Sequence, residues 1–205
     1  MDERLFFTST ERNNSYIGEV ISKFLPCRGS VLEIASGSGQ HGVTFQKKFP
    51  EIIWQTSDPE ISHRRSIRAW IEHEKLTHKM PHPIDLDVEK RPWPIKAKIK
   101  ATLKCIVCIN MTHISPWGCT EALIEESGSI LKTDQILMLY GPFKINGDFT
   151  SKSNYLFEQS LKQQNINWGI REVEEVIDIA VINGFKKQDV LKMPANNLSI
   201  ILRMM

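Results

Sequence analysis

The residues best placed to do chemistry lie in "VLEIASGSGQHG", Val31 to Gly42, and in acids further along the chain. An apolar, strand-like run reaches Glu33 and then breaks into Ala35, Ser36, Gly37, Ser38 and Gly39, with Gly42 following. Glycines after a strand let a ligand approach the backbone, and a helix opening there turns its free N–H groups toward an anion. Gly37-x-Gly39-x-x-Gly42 is a literal dinucleotide fingerprint, and Asp58 stands about twenty residues on, where such a site keeps its ribose-binding acid. Taken alone, this predicts a nicotinamide dinucleotide. A tight strand-to-helix turn without any ligand is the simpler alternative.

The same segment also fits the turn of a nucleoside-dependent methyltransferase, where an acid near the end of the first strand precedes the glycines. Glu33 is that acid. A carboxylate suits a methionine ammonium and is a poor neighbour for a pyrophosphate, provided the distance is short and the site partly buried. Asp58, in "SDPE", can accept hydrogen bonds from the two ribose hydroxyls. It can also act as an ordinary helix N-cap with Pro59 at the first helical position. Asp87, in "DLDV", ends a strand-like run and can take the adenine amino group with the Val88 backbone beside the ring. Its alternative is a carboxylate in solvent.

Methyl transfer asks for an aligned acceptor, exclusion of water and sometimes removal of a proton. Polar residues at the ends of the later strands therefore matter. "NMTHISPW" supplies Asn110 for the donor or acceptor and His113 as a general base, although a lone His is commonly structural. Tyr140 ends a strand, and Asn196 and Asn197 sit in a turn; all three are candidates to line an acceptor pocket, the asparagines equally for left-handed turn geometry. Arg12 and Asn13 open a helix, and Arg12 can bind a carboxylate bidentately. Tyr140-x-x-x-Lys144 has the spacing of a short-chain dehydrogenase pair. Gly141 and Pro142 keep it off a helix face, which removes the best support for hydride transfer. No N-P-P-Y-like run follows the fourth strand, which argues against methylation of nucleobase or glutamine amide nitrogens.

These residues need elements to hold them, and the pattern is α/β. Helices are predicted over 11–25, 40–49, 59–76 and 116–131, the last capped by Ser115. Strands are predicted over 30–35, 52–57, 83–88, 102–110 and 134–141, with 89–100 irregular. Gly141 to Gly169 is a polar insert with one short helix around Tyr155 to Lys162, long enough to be a lid over substrate. An amphipathic helix follows from Ile170, with Gly184 as its C-cap. Runs at Lys186–Met193 and Leu198–Met204 are joined only by "PANN", too short for a crossover, so they form an antiparallel hairpin.

The 205 residues, 41% hydrophobic and 24% charged, suit one domain. A net charge of +2 is too balanced for a nucleic-acid surface. Lys96, Lys98, Lys100 and Lys104 read as a solvated loop. There is neither a membrane-length apolar run nor a signal-peptide pattern, which points to the cytosol, with the nucleus not excluded by size. Cys105 and Cys108 form a C-x-x-C inside a strand-like run, where the two face opposite ways, so they read as buried thiols rather than a redox or metal pair. No metal is expected.

The runs "ERN" (11–13), "LEIASGSGQH" (32–41), "WQTSD" (54–58), "LDV" (86–88), "CINMTHISPW" (108–117), "YGPFKINGDF" (140–149), "WGIR" (168–171) and "MPANNL" (193–198) resemble the methyltransferase-like protein twenty-six family, predicted S-adenosylmethionine-dependent methyltransferases. The resemblance covers nearly the whole chain. It implies a seven-stranded class I methyltransferase (Rossmann-like) sheet, mostly parallel with an antiparallel C-terminal hairpin and helices on both faces. Residues 1–29 would be a helical cover and 141–170 a lid. It implies a pocket for S-adenosylmethionine, for which the candidates read from the residues are Arg12, Asn13, Glu33, Ala35, Gly37, Gly39, Asp58, Asp87, Val88 and Asn110, with His113 and Tyr140 as catalytic candidates. The family often carries Ala where this chain has Gly42. Ala35 replaces the first glycine of the usual turn, a replacement tolerated where φ is negative. The acceptor is a small molecule or a protein side chain. A non-catalytic binder of the same fold and an NAD(P)-dependent oxidoreductase are the rival functions.

Overall fold

Strands and helices alternate as the apolar pattern requires in a computed structural model that describes residues 2–205. The chain forms two compact units, Met1–Cys108 and Ile109–Met205.

In the first unit, α1 (Thr8–Ser22) buries Ile17, Val20 and Ile21 at helical spacing. It is followed by β1 (Gly29–Ile34), α2 (Gln40–Lys48), β2 (Ile52–Thr56), α3 (Ile61–His73), α4 (Ala97–Thr102) and β3 (Leu103–Ile109). β1 lies between β2 and β3 and is parallel to both, with Glu33 opposite Thr56 and Ile34 opposite Cys108. A strand covered on both faces carries a continuous apolar run, and Val31, Leu32 and Ile34 are buried accordingly.

Three expectations are corrected here. The helix after β2 begins at Ile61 and not at Pro59; Asp58 caps from outside it, accepting from Glu60 N at 2.9 Å. The run over 83–88 is not a strand. Ile84 donates to Thr56 O and accepts from Asp58 N, giving one parallel bridge to Ser57. The carbonyls that would extend that ladder are taken by side chains: His82 O accepts from Gln55 Nε2 and Asp58 O from Arg64. The larger ladders therefore hold six strands, β1 to β3 and three in the second unit, where seven were expected. Within 89–100, Ala97 starts α4, so the exposed lysines ride partly on a short helix.

The second unit comprises α5 (Trp117–Ile130), β4 (Ile136–Gly141), β5 (Phe143–Ile145), β6 (Asp148–Phe149), α6 (Lys152–Gln164), β7 (Arg171–Glu172), α7 (Val173–Ile182), β8 (Phe185–Met193) and β9 (Asn197–Met204). β9 lies antiparallel between β4 and β8, and β8–β9 is the expected hairpin. The polar insert is more ordered than its composition suggests: β5 pairs with both β6 and β7, and α6 packs beside them. Ser115 does not cap α5; its hydroxyl donates to Met111 O. Cys105 and Cys108 are buried, unbridged thiols in β3, and burial pushes the Cys105 thiol far up. Among the described residues no helix is long and apolar enough to cross a membrane.

Candidate functional site

The turn after β1 is held in left-handed backbone geometry at three positions: Ala35 (φ 53°), Gly37 (φ 55°) and Gly39 (φ 90°). The condition under which Ala is easily tolerated there, a negative φ, is not met; Ala35 occupies a conformation that favours glycine. At Gly39 a Cβ would lie 2.9 Å from the Ile67 Cα, so only glycine fits between this turn and α3. Gly42 has a different reason. Its Cβ would meet Thr56 Cγ2 at 2.6 Å, so this glycine lets α2 sit tightly on β2.

Asp58 ties the turn together. Its Oδ2 accepts from Gly37 N at 2.9 Å, and its Oδ1 accepts from Glu60 N and lies 3.0 Å from His63 Nδ1. The carboxylate thus serves the glycine turn and the start of α3 at once, and it is almost wholly buried. Asp87 accepts from Glu89 N at 3.1 Å, with Lys90 Nζ 3.3 Å away. It lines a pocket of about 520 Å³ with Pro59, Asp85, Lys90, Arg91 and Pro92. Val88 is buried, and its carbonyl accepts from the Trp93 indole.

Glu33 is 1% exposed and accepts from Trp54 Nε1 at 2.5 Å. Burial pushes its pKa up to about 8 against the opposing Trp54 bond, with the Asp58 charge adding to the rise. At neutral pH it is mainly an uncharged acid packed between β2 and α2. Arg12 is exposed. Asn13 is buried, its Oδ1 2.8 Å from His41 Nε2, and burial lowers the His41 pKa to about 3. Gln40, His41 and Ser66 carry much of this polar packing and were not singled out from the sequence. Their only signal there is polar residues on the inward side of helices.

The second unit holds the other candidates. Asn110 has φ 60° and donates its N–H to Tyr140 O at 2.8 Å. His113 is buried and its Nδ1 has no hydrogen-bond partner. That nitrogen lies 3.2 Å from where a Gly141 Cβ would be, and the Phe157 ring stands edge-on at 5.5 Å. Burial, aided by the Arg171 charge, lowers the His113 pKa to about 4, so the ring is neutral. The loop around it is clamped. Arg171 donates to Thr112 O at 3.0 Å and to Ser115 O at 2.6 Å, and Gly169 N donates to His113 O. Arg171 also lies over the Trp117 ring. Within "WGIR" nothing distinguishes this arginine from a surface one.

Tyr140 is buried in β4, opposite Ser199. Asn196 and Asn197 line a pocket of about 360 Å³ with Ile145, Phe149, Lys192 and Met193. Both Ala195 and Asn196 are left-handed, at φ 57° and 59°. Among the described residues no cluster of three His, Cys, Asp or Glu side chains is placed to hold a metal.

A family model described as "Protein of unknown function (DUF938)" matches residues 4–204. The chain belongs to that family. Solved structures similar to this DUF938 chain fix its fold class. An O-methyltransferase family protein from Burkholderia thailandensis superposes with a TM-score of 0.76 at 11% identity, over 95% of this chain and 57% of its own. Human N-acetylserotonin methyltransferase, solved with SAM, gives 0.77 at 12%, over 96% and 52%. An O-methyltransferase family 2 protein from Planctomyces limnophilus, in complex with apigenin, gives 0.74 at 17%, over 96% and 60%. The DUF938 chain therefore has the α/β fold of class I methyltransferases, and it spans somewhat over half the length of these proteins.

Proposed function

We propose that the chain is an S-adenosylmethionine-dependent methyltransferase of the methyltransferase-like protein twenty-six type, acting on a small molecule. The observation that carries this is Asp58: an acid just after β2 whose Oδ2 holds Gly37 N of the left-handed turn. An acid there can accept from a ribose diol. The Asp87 pocket beside Pro59 is of a volume that takes a purine ring. These residues fit a nucleoside. Gly42, which completes the dinucleotide fingerprint, is accounted for by α2 packing on β2, so the fingerprint adds nothing for a pyrophosphate. Glu33 is left out of the cation-binding role, because its carboxyl is bonded to Trp54 and mainly neutral.

The bound donor would supply an electrophilic methyl. The first unit's share is to hold the nucleoside through Asp58 and Asp87. In the second unit His113, whose neutral ring keeps an unpartnered nitrogen, is a group able to accept a proton. The similar proteins whose names include N-acetylserotonin or whose structures hold apigenin favour a small hydroxylated acceptor. Calorimetry with S-adenosylmethionine, S-adenosylhomocysteine and NAD tests the donor. Binding of NAD alone would end this reading. Release of S-adenosylhomocysteine on incubation with a metabolite extract separates an enzyme from a non-catalytic binder.

A further inference from the structure

The Asp58 side chain is only 4% exposed, and both of its oxygens are engaged. Nothing reaches it unless its cover moves, and the cover can be named. Phe7 lies on the glycine turn, its Cε2 3.0 Å from the place of a Gly37 Cβ. Its ring is edge-on to His63 at 5.9 Å, the same His63 that sits on Asp58 Oδ1. The segment leading to Phe7 is strapped to α2 and α3. Leu5 N donates to Ser66 Oγ at 2.8 Å, Trp70 Nε1 donates to Leu5 O at 3.0 Å, and Phe7 N donates to Gln40 Oε1 at 2.7 Å. Arg4 and Phe6 pack on the Trp70 ring.

Two of these anchors also hold the glycine turn. Ser66 Oγ donates to Ser38 O, and Ser38 Oγ donates to Gln40 Oε1. The strap and the turn are therefore one hydrogen-bonded assembly. Yet Phe6 is 57% and Phe7 39% exposed. A segment with half-wetted rings and a few polar ties opens more easily than the core beneath it.

We infer that Arg4–Phe7 is the cover of the donor nucleoside site, with the Phe7 and His63 rings as its walls. Ligand enters and leaves when the strap detaches, and the strap closes over bound nucleoside and keeps water from it. This rests on the donor reading above. The test is stopped-flow tryptophan fluorescence with S-adenosylhomocysteine as the probe, on the unaltered chain, Phe7→Ala and a chain lacking residues 2–6. Both variants should associate and dissociate on the order of tenfold faster, because the open state is no longer the minor one. Phe7→Leu replaces Phe7→Ala should the latter fail to fold. Unchanged rates in the variants would overturn the cover and leave the donor site standing. Failure of the unaltered chain to bind the probe would overturn the donor site, and the cover with it.

Discussion

Asp58 and Ala35 show how much of the turn depends on single residues. Asp58→Ala removes the acceptor for Gly37 N and Glu60 N. Stranding a buried donor costs about 1–3 kcal/mol and these two are only part-buried, so its urea midpoint should fall by the equivalent of the lower end of that range, and S-adenosylhomocysteine binding should be lost in calorimetry. Asp58→Asn keeps an acceptor oxygen and should recover part of the stability. Retained binding in Asp58→Ala would remove this residue from the site. Ala35→Gly acts in the other direction. Relief of a left-handed Ala at φ 53° is worth about 1–2 kcal/mol, offset by about 0.4–1 kcal/mol of added freedom in the unfolded chain. A small net gain in stability is expected in denaturant melts, and a loss would mean that the Ala side chain is needed for packing. The sequence made Asp58 legible, since acid, glycines and spacing all stand in one line. It could not show that Glu33 turns to Trp54, because a continuous apolar strand run does not say which partner a buried carboxyl finds. Nor could it tell that Gly42 serves packing, since the close approach of β2 is a tertiary fact.

At the scale of elements, the helices and strands of the first half were readable because their apolar periods are clean. The expectation at 83–88 fails because the carbonyls on either side of the Ile84 bridge, His82 O and Asp58 O, are taken by the Gln55 and Arg64 side chains. The insert over 141–170 reads from sequence as a lid with one helix because β5, β6 and β7 are too short to show a period. What those short strands achieve is to bring Arg171 to the loop around His113. β5 pairs with β7 at Phe143 and Arg171, and the guanidinium then takes the carbonyls of Thr112 and Ser115. Arg171→Ala should lower stability by roughly 2–3 kcal/mol, since hydrogen bonds from charged groups are worth about 1.5–3 kcal/mol each and this one is half-wetted. Arg171→Lys retains the charge but not the fork, and should fall between. Denaturant midpoints measure both, and a midpoint unchanged in Arg171→Ala would show that the clamp bears no load.

For the whole molecule, three buried titratable groups set opposing slopes of stability with pH. His41 and His113 are held near 3 and 4 by burial, against 6.5 when solvated. They stay neutral in the fold while the unfolded chain protonates, so their contribution is complete above pH 6.5 and is lost as pH falls toward those lower values. Glu33 does the reverse. Raised from 4.5 to about 8, it contributes fully below pH 4.5 and progressively less up to pH 8. Between 4.5 and 6.5 the unfolded chain gains two protons at the histidines while the fold holds one more at Glu33. Stability then rises with pH at a net slope of one proton, about 1.4 kcal/mol per pH unit. Above 6.5 only the Glu33 slope remains, and it runs downward. These groups therefore place maximal stability near pH 6.5, with losses on both sides. Glu33→Gln keeps the size of the side chain and an acceptor for Trp54 Nε1 but cannot ionise. It should abolish the alkaline limb and steepen the acid limb from one proton to two, about 2.7 kcal/mol per pH unit, in thermal melts across about pH 5 to 8. An alkaline limb that persists in Glu33→Gln would mean that Glu33 is already ionised in the fold, and would reopen its role as a counter-ion for a bound cation.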